Sequence, residues 1–118
     1  MKIINPKLHA VLDYITVIFL LAAPELFNLP EMTAMFTYVL ACVHFLLTII
    51  TNFEFGLIKW LPFRVHGYIE LVVAFALVFA SFYLGSTDGV FSRNFYLIFA
   101  AIILIVFILT DFRHSKAD

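Results

Sequence analysis

Four apolar stretches, each close to twenty residues long, constrain this chain more than any other feature. They cover about 6–27, 30–53, 62–84 and 92–112. A helix of about 20 residues crosses the roughly 30 Å hydrocarbon core of a bilayer. Helix is the conformation expected, because a bilayer demands internally satisfied backbone and the alternation of a barrel strand is absent. Composition agrees: of 118 residues, 64% are hydrophobic and 13% charged, more apolar surface than a soluble domain of this length can bury. The sequence therefore predicts an all-α membrane protein with four transmembrane helices, forming a single membrane domain over 1–118.

Local chemistry marks the boundaries. Asn5-Pro6 reads as an N-cap with a first-turn proline, and Pro30 and Pro62 stand where segments two and three open. Pro24 is placed to kink or end segment one. "GSTDG", 85–89, reads as the turn between segments three and four. The central connection "NFEFGLIKWLPFR" is apolar, with Trp60 suited to the headgroup level, and is expected to lie partly in the interface. The N-terminal stretch lacks an early small-residue cleavage site and does not read as a signal peptide.

Alternating crossings put Lys2, Lys7, Lys59, Arg64, Arg113 and Lys116 on one side and Arg93 alone on the other. The positive-inside rule then predicts that both termini are cytoplasmic, in a membrane of the bacterial inner (plasma) type. Lys7, Lys59, Trp60 and Arg64 are the candidates for contact with lipid headgroups. A net charge of -1 gives no basic footprint for nucleic acid. The single Cys42 supports neither a disulfide framework nor a cysteine metal site.

The chain also reads as a repeat. Lys7, His9 and Asp13 in "KLHAVLDY" are matched by Arg64, His66 and Glu70 in "RVHGYIEL", and "TNF" at 51–53 by "TDF" at 110–112. Each half, 5–55 and 62–114, then forms one helical hairpin. Two tandem hairpins running the same way imply a pseudo-two-fold axis along the membrane normal. With Ala23-Pro24-Glu25 closing the first helix and Ser81-Phe82-Tyr83 in the second copy, the pattern resembles the SPW-repeat family of small membrane proteins, which carry one or two copies of a two-helix unit. The resemblance implies a membrane location and a two-hairpin fold, and implies no activity.

Residues four apart share a helix face, so His9 sits beside Asp13 and His66 beside Glu70. Asp13 lies roughly 10 Å along the helix from Pro6, near the edge of the hydrocarbon core, where an acid must be paired, wet or protonated. Segments two and four end at the same depth, adding Thr51, Asn52, Thr110 and Asp111. Thr37, His44, Thr48 and Thr51 form a polar stripe on segment two. Segment four has no counterpart of His44.

Several readings are open. In the first, His9–Asp13–Asn52 and His66–Glu70–Asp111 are hydrogen-bonded clasps, one per hairpin, in a non-enzymatic protein that serves as an accessory or self-associating subunit. Repetition of the device in both halves favours it. In the second, the cluster with His44, Thr48 and Thr51 is a proton or cation path, since histidine changes protonation near neutral pH and transport through so narrow a bundle calls for a homo-oligomer. In the third, His9, Asp13, His66 and Glu70 hold a metal, or His9 and His66 a haem. No cofactor is favoured by the sequence. General acid–base catalysis is the weakest reading, because no nucleophile stands beside the pairs.

Overall fold

A computed structural model describes residues 2–53 and 55–112. Glu54, Arg113, His114 and Lys116 lie outside the described residues, and with them two of the cations used to predict orientation. The described chain is helical, with α1 at Pro6–Leu26, α2 at Glu31–Ile50, α3 at Phe63–Asp88 and α4 at Val90–Leu109. All four are long and apolar enough to cross a membrane, which marks the chain as an integral membrane protein. Two-residue strands β1, Thr51–Asn52, and β2, Leu61–Pro62, pair in parallel between α2 and α3.

The expected caps form. The Asn5 side chain accepts the Leu8 N–H at 2.8 Å, with Pro6 in the first turn. Pro30 and Pro62 each immediately precede a helix. Pro24 stands within the last turn of α1, which ends two residues later. The 85–89 segment departs from expectation: α3 continues through Asp88, and Gly89 alone, at φ 106°, makes the turn into α4. The polar residues there are satisfied on or beside the helix. Ser86 Oγ donates to the Tyr83 carbonyl, and the Asp88 carboxylate accepts the Thr33 N–H.

α1 packs most closely on α2 and α3 on α4, giving two hairpins. A core of Leu20, Ala41, Leu77, Leu84 and Tyr96 fills the half of the bundle toward the α1–α2 and α3–α4 turns. Large apolar side chains such as Phe79 and Ile18 point outward, Phe79 with 77% of its surface exposed. In a bilayer this surface meets lipid tails of equal polarity and carries no hydrophobic penalty.

At the opposite end the chain crosses between hairpins. The Ile4 N–H bonds the Leu109 carbonyl at 2.9 Å, and the Asp111 N–H bonds the Ile4 carbonyl at 2.8 Å. The central connection folds back on α2, where the Leu57 and Ile58 N–H groups both reach the Ile49 carbonyl and the Trp60 N–H reaches Ile50. These bonds satisfy carbonyls that a helix end otherwise leaves open. Leu57, Ile58 and Trp60 remain exposed.

Candidate functional site

Where the chain crosses between hairpins, the two His–acid pairs meet. His9 and Asp13 on α1 and His66 and Glu70 on α3 each offer one ligand atom, and the four atoms lie within 4.8 Å of one another. All four residues are buried, both histidines completely. His66 Nε2 is 2.6 Å from Glu70 Oε1 and 3.0 Å from Asp13 Oδ2. His9 Nε2 is 3.1 Å from the same Glu70 oxygen and 3.4 Å from the same Asp13 oxygen. The sequence predicted two pairs held within their own hairpins. The structure brings them into one quartet, because α1 and α3 turn corresponding residues near their N-terminal ends to a common centre.

The outer nitrogen of each ring is fixed by a threonine. Thr110 Oγ1 is 2.6 Å from the Val106 carbonyl and 2.9 Å from His9 Nδ1. Thr51 Oγ1 is 2.5 Å from the Leu47 carbonyl and 2.7 Å from His66 Nδ1. A hydroxyl has one proton, and a carbonyl can only accept. Each threonine therefore donates to its own helix and accepts from the ring, so both imidazoles carry a proton on Nδ1. Their Nε2 atoms face the carboxylates. A histidine whose remote N–H is tied down while the other nitrogen points into a cluster is oriented as metal-ligating histidines are. Thr51 and Thr110 follow the ends of α2 and α4, so the inferred clasp partners change: His9 is tied to the end of α4 and His66 to the end of α2. Asn52 is half-buried and Asp111 is buried; both are held in interactions of their own.

The hydrogen-bond account of the quartet does not close. Two nitrogens converge on one oxygen of Glu70, while Asp13 Oδ2, buried, lies 3.0 Å from His66 Nε2 and 3.4 Å from His9 Nε2 without the geometry of a hydrogen bond to either. An unsatisfied buried acceptor costs about 1–3 kcal/mol, more when charged. Three of the four nitrogen–oxygen separations, 3.0, 3.1 and 3.4 Å, fall at the spacing of neighbouring ligands, about 3.0–3.4 Å, around an ion held at roughly 2.1 Å, and the fourth, His66 to Glu70 at 2.6 Å, is a hydrogen-bond distance. With two carboxylates and two neutral imidazoles, a divalent ion makes the assembly neutral, which suits a low-dielectric interior.

An aromatic cap covers the quartet from the end of the bundle. Phe53 and Phe63 are buried around Ala10, with Phe112 packed against them. The His9 ring meets Phe63 edge-on at 5.2 Å, and Phe63 lies 4.7 Å from Phe112. Phe112 rests on Gly67 so closely that a Cβ there would stand 2.6 Å from its ring. The spacing of the His–acid pairs gave no hint of this cap. Its signal was present in the third residue of each "TNF" and "TDF".

The polar stripe on α2 divides. Thr51 joins the quartet, and His44 Nε2 stands 3.5 Å from Asp13 Oδ1. Thr48 Oγ1 turns back to the His44 carbonyl. Thr37 belongs to the other end of the bundle, bonded to the Thr33 carbonyl and the Tyr96 hydroxyl. The stripe is therefore not a continuous hydrogen-bonded chain. Of the residues read as headgroup contacts, Lys7, Lys59, Trp60 and Arg64 are all exposed near the crossing end. No protein-family model, curated protein or solved structure matches the chain, so the likeness to SPW-repeat proteins rests on the quoted residues alone.

Proposed function

We propose that this is a small membrane protein that binds one divalent transition-metal ion at His9, Asp13, His66 and Glu70. The observation that carries the reading is Asp13 Oδ2, a buried carboxylate oxygen without the geometry of a hydrogen bond, 3.0 and 3.4 Å from the Nε2 atoms of two rings that are tied down at Nδ1. Two imidazoles with two carboxylates suit Zn²⁺, Fe²⁺ or Mn²⁺ rather than an all-oxygen ion such as Ca²⁺. The test is metal analysis of protein purified in mild detergent, stripped with chelator and reloaded. One ion per chain is expected, together with a visible d–d spectrum on Co²⁺ loading. Protein that takes up no ion at micromolar concentrations sinks the reading.

A second reading has its own support. The bonds from His9 to Thr110 and from His66 to Thr51 tie residues far apart in the chain, so the quartet can serve as a proton-shared structural clasp in a non-enzymatic accessory or self-associating protein. That reading predicts unchanged thermal stability on chelation, whereas loss of a resident ion lowers it.

The frame we propose is two tandem repeats about a pseudo-two-fold axis. Supporting it, His9–Thr110 and His66–Thr51 are corresponding contacts in the two halves, as are the Ile4–Thr110 and Thr51–Leu61 bridges. The distribution of Lys and Arg supports placing the crossing end and both termini at the cytoplasmic face of an inner membrane.

A further inference from the structure

One polar atom is left over when the quartet is assigned to an ion. His44 Nε2 is buried and makes no hydrogen bond, its nearest acid oxygen being Asp13 Oδ1 at 3.5 Å. It lines a cavity of roughly 130 Å³ between the four helices, whose other walls include Leu20, Leu40, Phe99 and Ile103 and whose polar end is Asp13 and Glu70. Val43 and Ile102 also line it, and each has more than half its surface exposed. On apolar spans such exposure is toward lipid, which puts two of the residues lining the cavity at the bilayer.

The contents of such a cavity follow from its walls. An apolar void of about 150 Å³ stays dry and accepts a benzene-sized ring. The unpartnered imidazole nitrogen calls for one hydrogen-bonding atom on that ring. Asp13 and Glu70 at the polar end disfavour a ligand anion, and Ile103 is among the apolar residues that line the same cavity as His44.

We infer that the cavity binds a neutral, lipid-dissolved ring compound bearing oxygen, of quinone or phenol chemistry, with the oxygen on His44 and the tail leaving between Val43 and Ile102. The inference rests on the metal-centre reading in placing the ring's oxygen beside a bound ion. Its own contact runs through His44, which is not among the four ligands, so the two can fail separately.

The test uses full-length protein in detergent with four probes: decylubiquinone, 4-decylphenol, decylbenzene as the oxygen-free control and decanoate as the charged one. Either oxygen-bearing neutral probe should raise Tm by several degrees, and which of the two does so identifies the source of the oxygen. Decylbenzene and decanoate should raise it less. His44→Leu should remove the advantage of oxygen, and Ile103→Phe, which fills the void, should remove the whole shift. If a variant does not fold, the imidazole ¹⁵N signal of His44 in the wild type gives the same answer by moving on probe addition. Equal shifts for all four probes, shifts that persist in both variants, or a His44 signal that does not move would overturn the inference. Metal content is measured on the same samples. Protein that binds a probe and no ion removes the metal reading alone, and protein that binds an ion and no probe removes this one alone.

Discussion

The bundle has polar groups buried at both ends, and the two ends treat them differently. Toward the α1–α2 and α3–α4 turns, Thr33 reaches Asp88 with both its N–H and its hydroxyl, at 2.6 and 2.7 Å, and lies 2.8 Å from Ser92. Thr37 meets the Tyr96 hydroxyl one turn further in. Every buried polar side chain there has a partner, and the bonds join α2 to the end of α3 and the start of α4. At the crossing end, Asp13 Oδ2 and His44 Nε2 make no hydrogen bond, although each lies within 3.5 Å of an oppositely polar atom. A device that only holds helices together satisfies its groups, because each open one is destabilising. The two open atoms at the crossing end, one in the quartet and one beside the cavity, are what the proposed metal and ring-binding readings account for.

The comparison can be broken first at the quartet. Asp13→Ala or Glu70→Ala should abolish stoichiometric metal uptake, a loss of at least about 100-fold in affinity, measured by competition with a chromogenic chelator. Either variant retaining wild-type affinity would make the crossing end a clasp like its opposite. Next come the orienting threonines. Thr51→Val and Thr110→Val keep all four ligands but release Nδ1, and loss of such support typically weakens binding about 10–100-fold. Acidification tests the same centre without mutation. Metal holds imidazole in its neutral form and carboxylate ionised, so protons compete with it, and occupancy should fall as pH is lowered. A titration showing constant occupancy down to pH 4 would count against the centre. Smaller effects belong to the other end. Tyr96→Phe removes one interhelical bond, expected to contribute about 0.6 kcal/mol and at most about 1.7, with metal affinity unchanged. If Tyr96→Phe alters metal binding as strongly as Thr51→Val, the two ends are not separate. Gly67→Ala should move the Phe112 ring aside and loosen the cap, seen as faster ion release with little change in Tm.

Much of this was legible in the residues. Segment length and apolarity gave the four helices, and the His–acid spacing put each pair on one helix face. What sequence spacing could not supply was which pairs meet. Within a hairpin, His9 and Asn52 end at the same depth, and the sequence assigned His9 to that neighbour. The parallel bridges Thr51–Leu61 and Ile4–Thr110 carry the chain across, and that pairing is a property of short irregular backbone with no periodic signature. The end of α3 was misread for a related reason. Gly, Ser, Thr and Asp together look like a turn, yet Ser86 and Thr87 bond back to the helix at Tyr83, and the partner that fixes Asp88 is 55 residues away. His44 stood out in the sequence as the residue without a counterpart, and it is the residue beside the cavity.

The bond between His9 and Thr110 spans 101 positions of the chain. A ribosome adding about 5–20 residues per second takes roughly 5–20 s to cover that distance. During that interval α1 is already made, with an acid and an imidazole near the edge of the hydrocarbon, and the group that sets the ring's proton has not been synthesised. The hydrogen-bond frame of the quartet is therefore completed only after α4 has been made. A chain stalled just before Thr110 would carry all four helices, since α4 ends at Leu109, with the His9 ring still lacking the hydroxyl that fixes its proton.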